Sequence, residues 1–238
     1  MKSKLYPYLL PFRSVIFFLI FVIGASIVNR DISDISNWWS VSATVVNIVT
    51  ILLTVKAAHR NNSTYRELIN YQKGKTTVGR IAAVSAVILL VGMSGMFLAG
   101  LLCYRKLPYT APMMIAPIPV VLAVINLPLL PVTTALAEDG LYLGCGVNHI
   151  GNKTAAIVIP AFFFALQHSF IPTLFDVRYM IYRFISFLPL TVILCIDYHK
   201  KRDPLPIMAG HALIDAATAV QILATSAVPG LYDKMCGN

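Results

Sequence analysis

AEDGLYL, residues 137–143, sets two carboxylates side by side in a stretch that is otherwise apolar and is preceded by several prolines. A charge at the centre of a bilayer costs roughly 2.5 kcal/mol or more, so acids found there are either at a helix end in interfacial water or part of a functional site. Which of the two applies here depends on the chain around them. Apolar types make up 58% of the 238 residues and charged types only 12%, against roughly 25% charged in an average soluble domain, and the mean hydropathy is +0.74. The apolar residues gather into runs near the ~20 residues that cross a hydrocarbon core as helix. They lack the alternation of an outer-membrane barrel. The sequence therefore predicts an all-α fold, a polytopic transmembrane helical bundle with seven or eight spans. Residues 1–238 form a single integral membrane domain, since no stretch remains that could build a separate soluble core.

Candidate spans are 12–28, 40–57, 81–102, 112–128, 130–147, 154–171, 180–197 and 205–224. Pro112, Pro117, Pro119, Pro128 and Pro131 make 112–147 either one span with an irregular start or two short ones, because proline removes a helix hydrogen bond. The N-terminal run has Lys2, Lys4 and Arg13 before it but no clear small-residue cleavage site after it, so it is kept as the first span. Lys and Arg cluster at span ends, and the net charge of +9 is read as membrane topology rather than as a nucleic-acid surface. The loop 56–80 is basic apart from Glu67, and 199–203 carries Lys200, Lys201 and Arg202; both are expected to be cytoplasmic. The turn 148–153 shares their face, since two spans separate it from 199–203. A seven-span count then puts Arg13 and the N-terminus inside as well. Cys103, Cys145, Cys195 and Cys236 show no paired or metal-like spacing and read as apolar fillers. Trp38, Trp39, Tyr6 and Tyr8 read as interfacial belt residues.

Few ionisable residues fall inside spans: Glu138, Asp139, His168, His211 and Asp215. At about 1.5 Å per helical residue from the turns 148–153 and 199–203, Glu138, His168 and His211 all reach middle depth. His211 and Asp215, four apart in GHALID, share a helix face. Glu138 and Asp139 point about 100° apart on a helix, so one is expected to work and the other to support it. Plainer readings stay open for each: acids in interfacial water, a helix-end His168 bonded to a carbonyl, and His211 with Asp215 as a packing pair. His59, His149 and His199 lie in loops or at span ends, and the Phe162–Phe164 run reads as packing.

EDGLYLG (138–144), FALQH (164–168) and HALID (211–215), in that order, resemble the three motifs E-E-x-x-x-R, F-x-x-x-H and H-x-x-x-N/D of the CPBP family. These are the CAAX-protease and bacteriocin-processing intramembrane endopeptidases, also called the ABI family. The resemblance covers about residues 110–225, with the N-terminal spans, 1–103, outside it. It implies a metal-independent and cofactor-free glutamic protease in which Glu138 and His168 activate water, His211 and Asp215 stabilise the oxyanion, and Asp139 supports. Implied partners are a peptide or protein tail, lipidated or not, and the membrane lipids, but no nucleic acid. The implied location is the plasma membrane of a bacterium, with the site opening to the cytoplasmic side. Two departures stand out. Asp139 replaces the second glutamate, and Leu143 stands where the pattern has arginine, which leaves the acids without a local cation; Arg178 and Arg183 are the candidates to replace it. Leu143 also motivates an alternative, an inactive member serving as membrane scaffold, immunity factor or regulator. A metal-dependent enzyme or proton-coupled transporter is the third reading, although the broken inverted repeats of transporters are not visible.

Overall fold

A computed structural model describes residues 6–107, 109 and 111–236; Lys2 and Lys4, two of the residues read as a cytoplasmic flank, lie outside the described residues. The described chain is built from helices: α1 (Phe12–Val28), α2 (Ile32–Ser36), α3 (Trp39–Arg60), α4 (Tyr65–Leu68), α5 (Val78–Tyr104), α6 (Val120–Thr134), α7 (Lys153–His168), α8 (Val177–Lys201), α9 (Leu205–Ala227) and α10 (Leu231–Cys236). Six stretches among them are long and apolar enough to cross a membrane: Tyr6–Val28, Trp39–Arg60, Val78–Tyr104, Val120–Val147, Val177–Lys201 and Leu205–Ala227. A seventh apolar helix, α7, has only 16 residues. The stretch 112–147 is therefore not two spans. A short 3-10 turn at Pro112–Ile115 leads into a single continuous helix from Val120 to Val147.

That helix changes its winding partway along. After Pro128 and Pro131 inside α6, the segment Ala135–Val147 is wound as a π-helix and is buried along nearly its whole length. Proline removes a backbone donor from the ladder, and π-winding inside helices is rare and concentrated at functional sites. Glycines let neighbours reach this segment: a Cβ at Gly146 would lie 2.7 Å from the ring of Pro160 in α7. Around it, α8 packs on α7 and α5, α9 on α6 and α5, and α3 on α6 and the π segment.

At one end the basic segments come together. Arg80 pairs with Asp197 at 2.9 Å and with Asp203 at 3.4 Å, Lys75 donates to the Arg202 carbonyl, and Asn148 holds the Leu68 carbonyl and the Tyr198 hydroxyl while Arg202 donates to its side chain. The loops 61–77, 148–153 and 199–203 thus share one end of the bundle, as their charge pattern predicts. The aromatic belt is only partly as expected. Trp38 is exposed, whereas Trp39 is packed in the core and Tyr6 is buried with its hydroxyl on the Ala57 carbonyl, because both lie on the inward faces of their segments.

Candidate active site

The π segment carries Glu138 and Asp139 into the interior, 3% and 1% exposed. Neither sits in interfacial water. His211, six residues into α9, lies between them: its Nδ1 is 3.4 Å from Asp139 Oδ1, and its Nε2 is 3.6 Å from Glu138 Oε2 and 3.9 Å from Asp215 Oδ2. An imidazole with carboxylates close to both ring nitrogens is held in one orientation, and the Nδ1 contact with Asp139, short enough for a hydrogen bond, requires a proton between its partners. Asp215, one turn along α9, contributes its own oxygen to the same imidazole edge, so the four-residue spacing does what the sequence predicts. Glu138 Oε2, Asp139 Oδ2 and Asp215 Oδ2 make no hydrogen bond.

His168 ends α7. Its Nδ1 bonds the Phe164 carbonyl at 2.9 Å, the helix-end arrangement of the plainer reading, and the other ring nitrogen, Nε2, is left for a different partner. Its ring stacks on Phe187 at 3.6 Å between centroids, and the Arg183 guanidinium lies over the Phe187 ring at 4.9 Å. Arg183 also donates to the carbonyls of His168 and Ile171, at 3.4 and 3.0 Å. It is thus committed to the end of α7 and not to the acids. Arg178 bonds the Cys103 carbonyl and lies over Tyr104. Neither arginine proposed from the sequence replaces the one missing at Leu143.

The cation beside Glu138 is Arg13. Its side chain is fully buried, against the expectation of a cytoplasmic flank, and its Nη2 lies 2.8 Å from Glu138 Oε1. All three guanidinium nitrogens donate: Nε to Gln167 Oε1 at 2.6 Å, Nη1 to Thr50 Oγ1 at 3.1 Å, and Nη2 also to Asn47 Oδ1 at 2.9 Å. A buried guanidinium is tolerated when an anion and enough acceptors replace its water, and α1 places Arg13 where α3, α7 and the π segment each supply one or more. Tyr142, stacked on Phe164, donates to the same Gln167 oxygen at 3.1 Å.

Glu138, His168, His211 and Asp215 line one cavity of about 390 Å³, together with Phe164, Arg183 and Phe187; Asp139 is not among its lining residues. Most of the remaining lining is apolar, with Met93, Met96 and Phe97 from α5 and Ile214 and Ala217 from α9, interrupted by Thr134, Thr191, Thr218 and Gln221. It continues to Ala111, Met114 and Trp39 at the end away from the basic loops. No residue of 61–77, 148–153 or 199–203 lines it. On that side Tyr65, Leu68 and Ile69 pack against the π segment.

A family model described as type II CAAX prenyl endopeptidase Rce1-like matches residues 120–217, a stretch that holds all three motifs. No curated protein and no solved structure matches the chain. The match supports a CAAX-type intramembrane protease at the level of family, and it agrees with the CPBP resemblance read from the motifs.

Proposed function

Residues 120–217 being Rce1-like, we propose that the protein is an intramembrane endopeptidase that hydrolyses a peptide bond in a membrane-associated chain, with Glu138 as its proton-transferring carboxylate. The observation that carries this reading is the unequal use of the two Glu138 oxygens. Oε1 is tied to Arg13 at 2.8 Å, while Oε2 makes no hydrogen bond in a residue that lines the cavity shared with His168 and His211. A carboxylate anchored by one oxygen presents the other in a fixed direction, which is what a general base needs.

In this reading Glu138 Oε2 and His168 Nε2 hold the attacking water. Glu138 takes its proton as the water oxygen bonds to the scissile carbonyl carbon, and later delivers that proton to the leaving amine. His211, oriented by Asp139 through Nδ1 and by Asp215 beside Nε2, supplies positive charge toward the oxyanion. A fixed donor in a water-poor site lowers the barrier more than the same group in water. Asp139 supports by holding the imidazole. The apolar length of the cavity suits a substrate that arrives within the membrane, with or without a lipid, and a lining that reaches Ala111 and Met114 favours an approach from that end. With the basic loops in the cytoplasm, such an approach runs from the opposite leaflet, an alternative to the cytoplasmic opening expected from the sequence. A bacterial plasma membrane remains the proposed location.

The test is cleavage of a tagged peptide library by the purified protein in detergent, comparing wild type with Glu138→Gln and His168→Ala, with and without chelator. Cleavage abolished in Glu138→Gln and reduced to a measurable residue in His168→Ala, with wild-type cleavage indifferent to chelator, is expected. Cleavage that survives Glu138→Gln would overturn the assignment of Glu138. Absence of cleavage from folded wild-type protein would favour the scaffold or regulator reading that Leu143 suggests.

A further inference from the structure

We propose that Arg13 is the positioning residue of this active site, a cation supplied from the first membrane helix in place of the arginine missing at Leu143. The catalytic part of this inference rests on the function proposed above; the pairing of Arg13 with Glu138 does not. Arg13 lies outside the stretch that matches the family model, 120–217, so the working unit is larger than the matched core.

Three observations converge on it. First, the guanidinium is fully buried and meets four side-chain oxygens, of Glu138, Gln167, Asn47 and Thr50, at 2.6 to 3.1 Å. Second, these acceptors belong to three elements: Glu138 to the π segment, Gln167 to α7 beside His168, and Asn47 and Thr50 to α3. One planar fork therefore sets the acid and the end of the histidine helix relative to each other. Third, the acceptors are themselves braced. Asn47 donates to Thr133 at 3.2 Å and to Thr134 at 2.9 Å, and Gln167 accepts from Tyr142. At the position of the motif arginine, Leu143 is fully buried in the main hydrophobic cluster and brings no charge. Charge and geometry both contribute: an ammonium here would keep the charge beside Glu138 but, as a point charge on a flexible stem, would not reach four acceptors in one plane.

Arg13→Gln, Arg13→Lys, Glu138→Gln and the double variant Arg13→Gln/Glu138→Gln are compared in detergent by melting temperature and, for the Arg13 variants, by cleavage kinetics. The expected result is a kcat lower by about 100-fold in Arg13→Gln, with KM within about twofold, and partial recovery in Arg13→Lys. In melting, Arg13→Gln and Glu138→Gln each lower the midpoint, and the double variant loses less than the two added together. Additive melting losses, an unchanged kcat in Arg13→Gln, or Arg13→Lys no better than Arg13→Gln would each overturn the inference. If folded wild type cleaves nothing, the proposed function falls, and the additivity of the melting losses still decides whether Arg13 holds Glu138.

Discussion

The Tyr65 hydroxyl donates to the Leu136 carbonyl at 2.6 Å, and the same side chain fills the space beside Gly140, where a Cβ would come within 2.6 Å of its oxygen. The loop helix α4 thus grips the π segment two residues before and two residues after Glu138. Gly140→Ala should force Tyr65 off this seat at a cost of about 1–3 kcal/mol, the range for an overpacked core. Tyr65→Phe, which removes only the hydrogen bond, should cost about 1 kcal/mol. Because the obstacle is a side chain, Tyr65→Ala/Gly140→Ala should be less destabilised than the sum of its single changes. Melting in detergent measures all of these; additive losses would show that the two residues are not coupled.

Much of this was legible before the structure, and particular residues show where legibility stops. Long apolar runs are a strong signal, so the membrane helices lie close to their expected places, and residues of the three motifs meet in one cavity because they lie at similar depth, which the helical rise per residue already implies. Pro112 to Pro131 defeated counting, since sequence does not say whether a proline ends a helix or is absorbed within one. The role of Arg13 is hidden in the sequence because a cation at the start of an apolar run looks like a flank. A signal for it existed nonetheless: Thr44, Asn47, Thr50 and Thr54 recur at helical spacing along α3 and are all buried, a polar stripe inside a membrane helix that required a buried partner. The side-chain stack of His168 on Phe187 joins two helices and left no local trace.

Helix contact at Gly95 should behave differently from that at Gly140. A Cβ there would lie 2.3 Å from the Ser186 backbone carbonyl oxygen, so α5 and α8 meet backbone to backbone. Close approach at small residues is a common means of packing helices in membranes. Gly95→Ala should push the two helices apart and lower the melting temperature, and no truncation at Ser186 should restore it, because the obstructing atom belongs to the main chain. Recovery in Gly95→Ala/Ser186→Gly would contradict this account.

At the basic end, α4 begins with a reciprocal cap: the Thr64 hydroxyl accepts from the Glu67 backbone N–H at 3.2 Å, and the Glu67 carboxylate accepts from the Thr64 backbone N–H at 2.7 Å. The Thr64 backbone N–H, and after it the Thr64 and Ser63 hydroxyls, each 3.1 Å from the same carboxylate oxygen, hold the Glu67 carboxyl below the usual glutamate range. Since the folded value is the depressed one, the cap is fully present above the unfolded value and is lost as pH falls through the folded one. A carbon-detected titration of Glu67 should place its midpoint below that of an unstructured glutamate. Thr64→Ala should move the midpoint part of the way back, because it removes the hydroxyl contact and loosens the backbone one. Identical midpoints in both proteins would mean that the cap does not form in solution.

Phe187 offers a test of how His168 is held. Its ring lies 3.6 Å from the imidazole centroid at 11° between planes, with Arg183 on the ring, so the imidazole is fixed by stacking on one side and by the Phe164 carbonyl at Nδ1. If His168 directs the water toward the scissile carbonyl, loosening its ring should damage turnover while leaving Glu138 and Arg13 in place. Phe187→Leu should lower kcat/KM about tenfold, a typical loss for a misplaced acid–base group. In His168→Ala/Phe187→Leu the second change should add nothing to the first, since the residue it positions is gone. Measured kcat/KM for the two single variants and the double variant closes this cycle. A full tenfold loss on top of His168→Ala would mean that Phe187 acts on the substrate in the cavity and not through the histidine.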